Sequence, residues 1–232
     1  MRRIVCAMVV AAGYGRLSFD ASDAMTGLDG SLPIPGCVGG EAAGPFITDF
    51  SQGVPAFGAI YETSPAQMDV FQGQLRGRPG ASPGSTVYAG LELDIADYRE
   101  RRVFVQVPTM LAVTGCGQVA VVIQDDDLMQ YAELSQSCGM VEALLYVGST
   151  PTVLAQLAYD AAAHRWWQLS ARAGTLTFEV SADGVLWTEI ASTSTPAYFD
   201  DAYVELSAGT YQLETVIGEA RFDDLFDCLN DF

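Results

Sequence analysis

Lysine is absent: all eleven basic residues of this 232-residue chain are arginine, against 29 acidic residues and a formal charge of −18. So negative a surface repels phosphate backbones and anionic headgroups, which excludes nucleic acid as a partner. The missing lysine reads as codon bias rather than a demand for guanidinium groups. Histidine occurs once, at His164 beside Arg165, where a surface or turn position is expected. One histidine without a Gly-x-Ser-x-Gly elbow leaves no nucleophilic triad to assemble. There is no Cys-x2-Cys spacing for zinc. Nor does a glycine-rich phosphate loop follow a strand, since Gly36–Gly40 lies in a Gly/Ser/Pro stretch. Helical periodicity is also lacking, and no helix longer than two turns is expected.

What the chain does have is alternation. His164–Ile190 reads as three antiparallel strands: Trp167, Leu169 and Ala171 face one way, and Leu176, Phe178 and Val180 answer them after the Ala173–Gly174 turn. An Asp183–Gly184 turn then leads to Leu186, Trp187 and Ile190. Apolar residues at every second position between glycine turns indicate a sheet with one buried face. In Thr86–Ile95, Val87, Ala89, Leu91, Leu93 and Ile95 share a face opposite Tyr88, Gly90, Glu92 and Asp94. Further strands are expected over Val103–Val107, Val119–Gln124, Met129–Leu134, Val141–Val147, Thr152–Ala158, Tyr203–Leu206, Thr210–Val216 and Ala220–Phe226. About twelve strands must fold on themselves to bury their apolar sides, so the fold class is all-β, a two-sheet antiparallel sandwich.

The first residues have a targeting shape. Arg2 and Arg3 precede the short apolar run Ile4–Ala12, far below the ~20 residues a spanning helix needs. Residues 1–13 are therefore expected to be an export signal. Residues 14–45, rich in Gly, Ser, Asp, Pro and Ala, are expected to form a flexible linker, and 46–232 one domain. The segment Val9–Arg16 resembles a bacterial lipoprotein signal with Tyr14 in the cysteine's place; without a thiol, acylation there has no attachment point. The expected location is outside the cytoplasm: periplasm, outer envelope or secreted, with no transmembrane helix in the mature chain.

Export makes the cysteines legible. Beyond Cys6 there are four, Cys37, Cys116, Cys138 and Cys228, an even number with three possible connectivities. A hairpin centred on Asp127 sets Cys116 opposite Cys138, sharing faces with Ala120 and Val122 and with Ala132 and Leu134, both thiols toward the core. By elimination Cys37 pairs with Cys228.

The run AAAHRWWQLSARAGTLTFEVSADGVLWTEI, followed by VELSAGTYQLET and GEARFDDL, resembles the concanavalin A-like (laminin G-like) jelly-roll domains of exported bacterial proteins. The opening ITDFSQG and the VIQDDDLMQYAEL hairpin extend the resemblance over roughly residues 46–226. It implies that the closing strand pairs near the opening one. It also implies a structural calcium held by Asp49, Asp223 and Asp224, hard oxygen donors where the terminal strands meet. Asp125–Asp127 at the hairpin tip is a second place for an ion. No other cofactor is expected.

Domains of this kind include carbohydrate-binding modules, adhesion domains and glycosidases, so the fold alone names no ligand. The leading expectation is a non-enzymatic binding or accessory module at the cell envelope whose partner is a glycan or another cell-surface component. Its ligand face would combine Tyr88, Glu92 and Asp94 with Trp166, Gln168, Thr177 and Glu179, flat aromatics beside hydrogen-bonding amides and carboxylates. Trp166 has the alternative of packing beneath a loop. One alternative function, implied by the resemblance, is a glycoside hydrolase using Glu92 and Asp94, from a Glu-x-Asp-x-x-Asp run ending at Asp97 where glucanases of this fold carry Glu. The other is a structural or protein-binding surface domain.

Overall fold

The structure, a computed structural model, describes residues 42–56, 58–80, 87–111, 116–125, 129–148, 150–210 and 218–229, with side chains from residue 48 onward. The expected export signal, Cys37, Asp126, Asp127 and most of the Thr210–Val216 strand lie outside these residues. The first strand, β1 (Ala42–Thr48), begins inside the segment read as linker.

Two antiparallel sheets pack face to face. One contains β3 (Gln67–Phe71), β4 (Gln74–Arg78), β6 (Arg101–Thr109), β11 (Trp166–Arg172), β12 (Thr175–Ser181), β13 (Thr188–Ser194) and β15 (Ala220–Leu229). Its order is β13-β12-β11-β6-β15-β4-β3, and β1 pairs with β15 as an eighth strand. The other sheet runs β10-β9-β8-β7-β14-β5-β2. Its members are β2 (Gly58–Glu62), β5 (Val87–Leu93), β7 (Gly117–Asp125), β8 (Gln130–Ser137), β9 (Met140–Val147), β10 (Thr150–Ala158) and β14 (Ala202–Thr210). Among the described residues the only helical turn is a 3-10 segment at Ala197–Asp200, and no helix is long and apolar enough to cross a membrane.

The core forms where the inward halves of the alternating strands meet. Val87, Ala89, Leu91 and Leu93 of β5 and Val119, Val121 and Ile123 of β7 come from one sheet. Trp167, Leu169 and Ala171 of β11 and Leu176, Phe178 and Val180 of β12 come from the other. All are nearly or wholly withdrawn from solvent, as the period of two demands. The β11–β12 register runs from Trp166 opposite Ser181 to Arg172 opposite Thr175 around the expected Ala173–Gly174 turn. The third strand starts later than expected. Leu186 is exposed and Trp187 half-buried, both ahead of β13, because Asp183 accepts from the Val185 and Leu186 amides and holds a longer loop. β1 does close against β15, with Thr48 opposite Leu225 and Ile47 opposite Phe226.

Cys116 and Cys138 are bonded, their Cα atoms 4.1 Å apart, but the register between their strands differs from the expected one. Gln124 faces Tyr131 and Gln118 faces Ser137, half a residue pair beyond a hairpin centred on Asp127. Asp125 fixes this register, because its carboxylate accepts from the Met129 and Gln130 amides at 3.0 and 3.3 Å. The slip turns each side chain of β7 to the other face. Val119, Val121 and Ile123 fill the core, Ala120 and Val122 face outward, and Cys138 is exposed at a turn rather than inward. Cys228 is disulfide-bonded and fully buried, while its expected partner Cys37 lies outside the described residues.

A bridge closing 22 residues of sequence restricts the unfolded chain by roughly 3 kcal/mol in the chain-entropy estimate. Cys116→Ser with Cys138→Ser should therefore lower the thermal midpoint by several degrees. Thiol titration of the unreduced, denatured wild type should find neither Cys116, Cys138 nor Cys228 free.

Candidate functional site on the outer face of the seven-stranded sheet

The expected ligand residues do not come together. Tyr88 and Glu92 lie on β5 of the seven-stranded sheet, whereas Trp166, Gln168, Thr177 and Glu179 lie on β11 and β12 of the eight-stranded one. Both sets face away from the core, so they occupy opposite outer faces of the sandwich. Trp166 is 3% exposed and packs with Phe104, Phe226, Cys228 and the half-buried Trp187. The Phe104 and Phe226 rings stack 4.8 Å apart, and Trp187 meets Phe104 edge-on at 5.7 Å. Trp166 thus takes the packed alternative and offers no open platform. Gln168 donates through Nε2 to Glu179, whose carboxyl burial holds above the usual range.

The hydrolase pattern also comes apart. Asp94 is exposed past the end of β5. Asp97 is taken up by Arg99, which donates from Nε at 2.9 Å and from Nη2 at 2.5 Å. His164 sits in a turn as expected but is buried, not at the surface. Its Nδ1 accepts from the Asp160 amide at 3.1 Å, and desolvation lowers its pKa.

The three aspartates read as calcium ligands influence one another. Asp224 is pushed up to about 6 by burial first, then by the charges of Asp223 and Asp49. Their oxygens are directed elsewhere: Asp49 accepts from the Ser51 amide, and Asp223 from Gln74 Nε2 and the Asp224 amide. Among the described residues no three His, Cys, Asp or Glu side chains gather closely enough to hold a metal ion.

A different set of residues does converge. A cleft of about 260 Å³ opens on the outer face of the seven-stranded sheet, lined by tyrosines (Tyr88, Tyr131), amides (Gln118, Gln124) and carboxyls (Glu133, Glu205), with Ala120 and Val122 as its floor. Cross-strand register builds it. One row across the sheet pairs Glu92 with Glu205, Glu205 with Val122, and Val122 with Glu133. Directly opposed side chains of one face have Cβ atoms about 5 Å apart, so Glu92 and Glu205 are immediate neighbours.

Hydrogen bonds hold this face. Glu205 accepts from the Tyr61 hydroxyl at 2.9 Å and from Gln124 Nε2 at 2.7 Å, one bond to each carboxylate oxygen. The Tyr88 hydroxyl donates to Gln118 Oε1 at 2.5 Å, and Gln118 Nε2 donates to Glu133 Oε1 at 2.6 Å. Two glycines let the tyrosine rings lie against the sheet. A Cβ at Gly90 would stand 2.6 Å from the Tyr61 ring, and one at Gly209 would collide with the Tyr88 ring. Tyr131 and Tyr146 stack with centroids 4.0 Å apart beside the cleft.

Glu133 is only 5% exposed. Desolvation, reinforced by the charges of Glu205 and Glu142, pushes its carboxyl up to about 7. Of this cleft the sequence reading named only Tyr88, with Glu92 beside it. The signal for the remainder was present as polar residues at alternate positions of otherwise apolar strands, Gln118 and Gln124 in QVAVVIQ and Tyr131 and Glu133 in QYAELS.

With this geometry in view, the comparisons with known proteins concern the fold. No protein-family model matches the chain, and no curated protein does. Among solved structures, it resembles an endo-acting O-glycanase of the human gut microbiota that initiates mucin breakdown. The TM-score is 0.62 at 14% identity, over 81% of this chain and 99% of that one. The CBM2 module of the evolved Dit of Lactobacillus casei BL23 phage J-1 gives 0.57 at 12% identity, over 80% and 95%. The exoplasmic/lumenal domain of VIP36 in its Ca2+-bound form gives 0.53 at 13%, over 78% and 90%. These likenesses define a class by fold alone: a two-sheet jelly-roll β-sandwich.

Proposed function

We propose that this chain is a non-enzymatic glycan-binding or accessory module acting outside the cytoplasm at the cell envelope, with its ligand seated on the outer face of the seven-stranded sheet. The observation that carries this reading is the cleft, where tyrosine rings stand beside amides and carboxyls already ordered by hydrogen bonds. Sugars present apolar C–H faces and rims of hydroxyls, and such a surface answers both. Ordering the polar groups in advance lowers the entropy lost on binding. A bonded Cys116–Cys138 pair and a bonded Cys228 suit an oxidising compartment, and the jelly-roll neighbours that bind carbohydrate support the ligand class.

Tyr131→Ala should weaken oligosaccharide binding roughly tenfold, the loss expected for one aromatic stacking partner with its hydrogen bonds. Gln168→Ala, on the opposite sheet, should leave it unchanged. Isothermal titration with oligosaccharides selected on a glycan array measures both. Absence of saturable sugar binding in the wild type would favour the structural or protein-binding alternative.

A further inference from the structure

The eight-stranded sheet carries an apolar patch on its outer face. Phe226 and Cys228 stand at alternate positions of β15, turned away from the main core, and Phe104 of β6 lies opposite Phe226. Trp166 of β11 and Trp187, from the loop before β13, complete the group. Except for Trp187, every member belongs to a strand of this one sheet, so the side chains stand next to one another and shield only each other's flanks. Yet Cys228 is 0% exposed, Phe104 2% and Trp166 3%. A sheet face open to water does not withdraw aromatic rings this completely.

Cys228 points to what covers them. It is disulfide-bonded, and Cys116 and Cys138 are bonded to each other. Of the five cysteines, only Cys6 and Cys37 remain for it within the chain, and Cys6 falls in the expected export signal. Reach favours Cys37. Cys228 stands opposite Ala42 of β1, and Cys37 comes five residues before Ala42. Antiparallel partners are ~5 Å apart, and disulfide-bonded residues have Cα atoms ~5–6 Å apart. Cys37 must then lie within about 11 Å of Ala42, whereas five extended residues would carry it ~17 Å away. The chain has to double back, and Gly39–Gly40 supplies a place to do so. Because the Cys228 side chain points outward, the returning chain passes over the outer face and brings Ile34, Pro35 and Val38 to the rings.

We infer that residues 34–41 form a strap over the outer face of the eight-stranded sheet, locked to Cys228 through Cys37 and seated on Phe104, Trp166, Trp187 and Phe226. The inference stands apart from the glycan reading, which concerns the other sheet. Residues 34–40 carry no charge, which suits burial against rings, whereas the chain before them holds Asp20, Asp23 and Asp29. The lock closes by thiol–disulfide exchange. The Cys37 and Cys228 sulfurs bond to each other, and their two protons and two electrons pass to a protein disulfide of the oxidising compartment, which leaves as two thiols. With the strap in place the patch is closed to any ligand. Released, it opens an aromatic surface around Trp166 and Trp187, so the bond decides how many outer faces the sandwich presents.

Digest the folded full chain without reduction and map its cross-linked peptides by mass spectrometry. A pair joining Cys37 to Cys228, separating on reduction, is expected. Cys228 joined to Cys6, or to a second copy of the chain, overturns the strap. The covering is read separately from acrylamide quenching of tryptophan fluorescence. In the wild type Trp187 is the main accessible indole, since Trp166 and Trp167 are buried. Cys37→Ser should roughly double the quenching constant, as Trp166 joins Trp187 within reach of solvent, and should make Cys228 reactive toward a thiol reagent in the native state. Ile34→Asp combined with Val38→Asp keeps the bond and should raise quenching in the same way, so the result does not depend on a variant lacking the cross-link. Quenching unchanged in both variants, even with the Cys37–Cys228 pair mapped, overturns the strap and leaves only a bond between chain ends.

Discussion

Trp167→Ala should cost about 3–5 kcal/mol, the range for deleting a fully buried aromatic side chain. Trp167 is 0% exposed on β11 and shares the main core with residues from both sheets. Its Nε1 also donates to the His164 carbonyl at 3.0 Å, tying the strand to the turn before it. Removal therefore opens a cavity at the sheet interface and strands a buried carbonyl. Against a typical stability of ~5–15 kcal/mol, that loss is enough to leave an appreciable unfolded fraction at 37 °C. A denaturation series monitored by far-UV circular dichroism should show a midpoint lower by about 10 °C or more. A loss below about 1 kcal/mol would mean that the two inner faces are not packed around this residue.

The second large effect is electrostatic, and it reverses the usual response of a carboxylate. Glu133 is held at about 7 in the folded chain, against an ordinary 4.5. Between these values the folded state binds the proton that the unfolded state has released, so stability falls as pH rises. The favourable, protonated condition is complete below about 4.5 and lost as pH passes 7. Two and a half pH units at 1.36 kcal/mol each give a loss of about 3 kcal/mol from this one group.

Asp224, at about 6, slopes the same way. Asp49, Asp69 and Asp97 are held below their ordinary value by hydrogen bonds, so their contributions vanish at the acid end instead. Maximal stability is expected near pH 5. Glu133→Gln keeps an acceptor for Gln118 and cannot ionise. It should match the wild type near pH 5 and exceed it at pH 8, where the difference in unfolding free energy should reach a few kcal/mol. A wild type whose stability is flat from pH 5 to 8 would show that Glu133 is not desolvated on this face.

How much of this was legible depended on whether the information was local. The β11–β12 hairpin could be read outright, because Trp167 to Ala171 and Leu176 to Val180 alternate on either side of an Ala-Gly turn. The two-sheet architecture followed from strand number and apolar alternation. The Cys116–Cys138 bridge was also within reach, since its strands are sequence neighbours. The register between those strands was not, because it depends on how the Asp125 carboxylate caps the turn, and a slip of half a pair sent Ala120 and Val122 outward.

Sheet membership was hidden for a deeper reason. β5 pairs with β14, and β11 with β6, and pairings over such sequence distances leave no periodic trace. Tyr88 and Trp166 were therefore joined in one expected face although they belong to opposite ones. Glu133 passed unremarked because an outward glutamate usually indicates a solvated position. Its burial comes from Gln118, Tyr131 and neighbouring strands that a local pattern does not reveal.

The central claim is that the outer face of the seven-stranded sheet is the ligand surface. Backbone amide shifts followed by NMR as the best-binding oligosaccharide is added test it most directly. The account predicts perturbations concentrated at Tyr88, Gln118, Gln124, Tyr131, Glu133 and Glu205, with Gln168, Glu179 and Trp187 unmoved. Perturbations centred on those last three, across the sandwich, would contradict it.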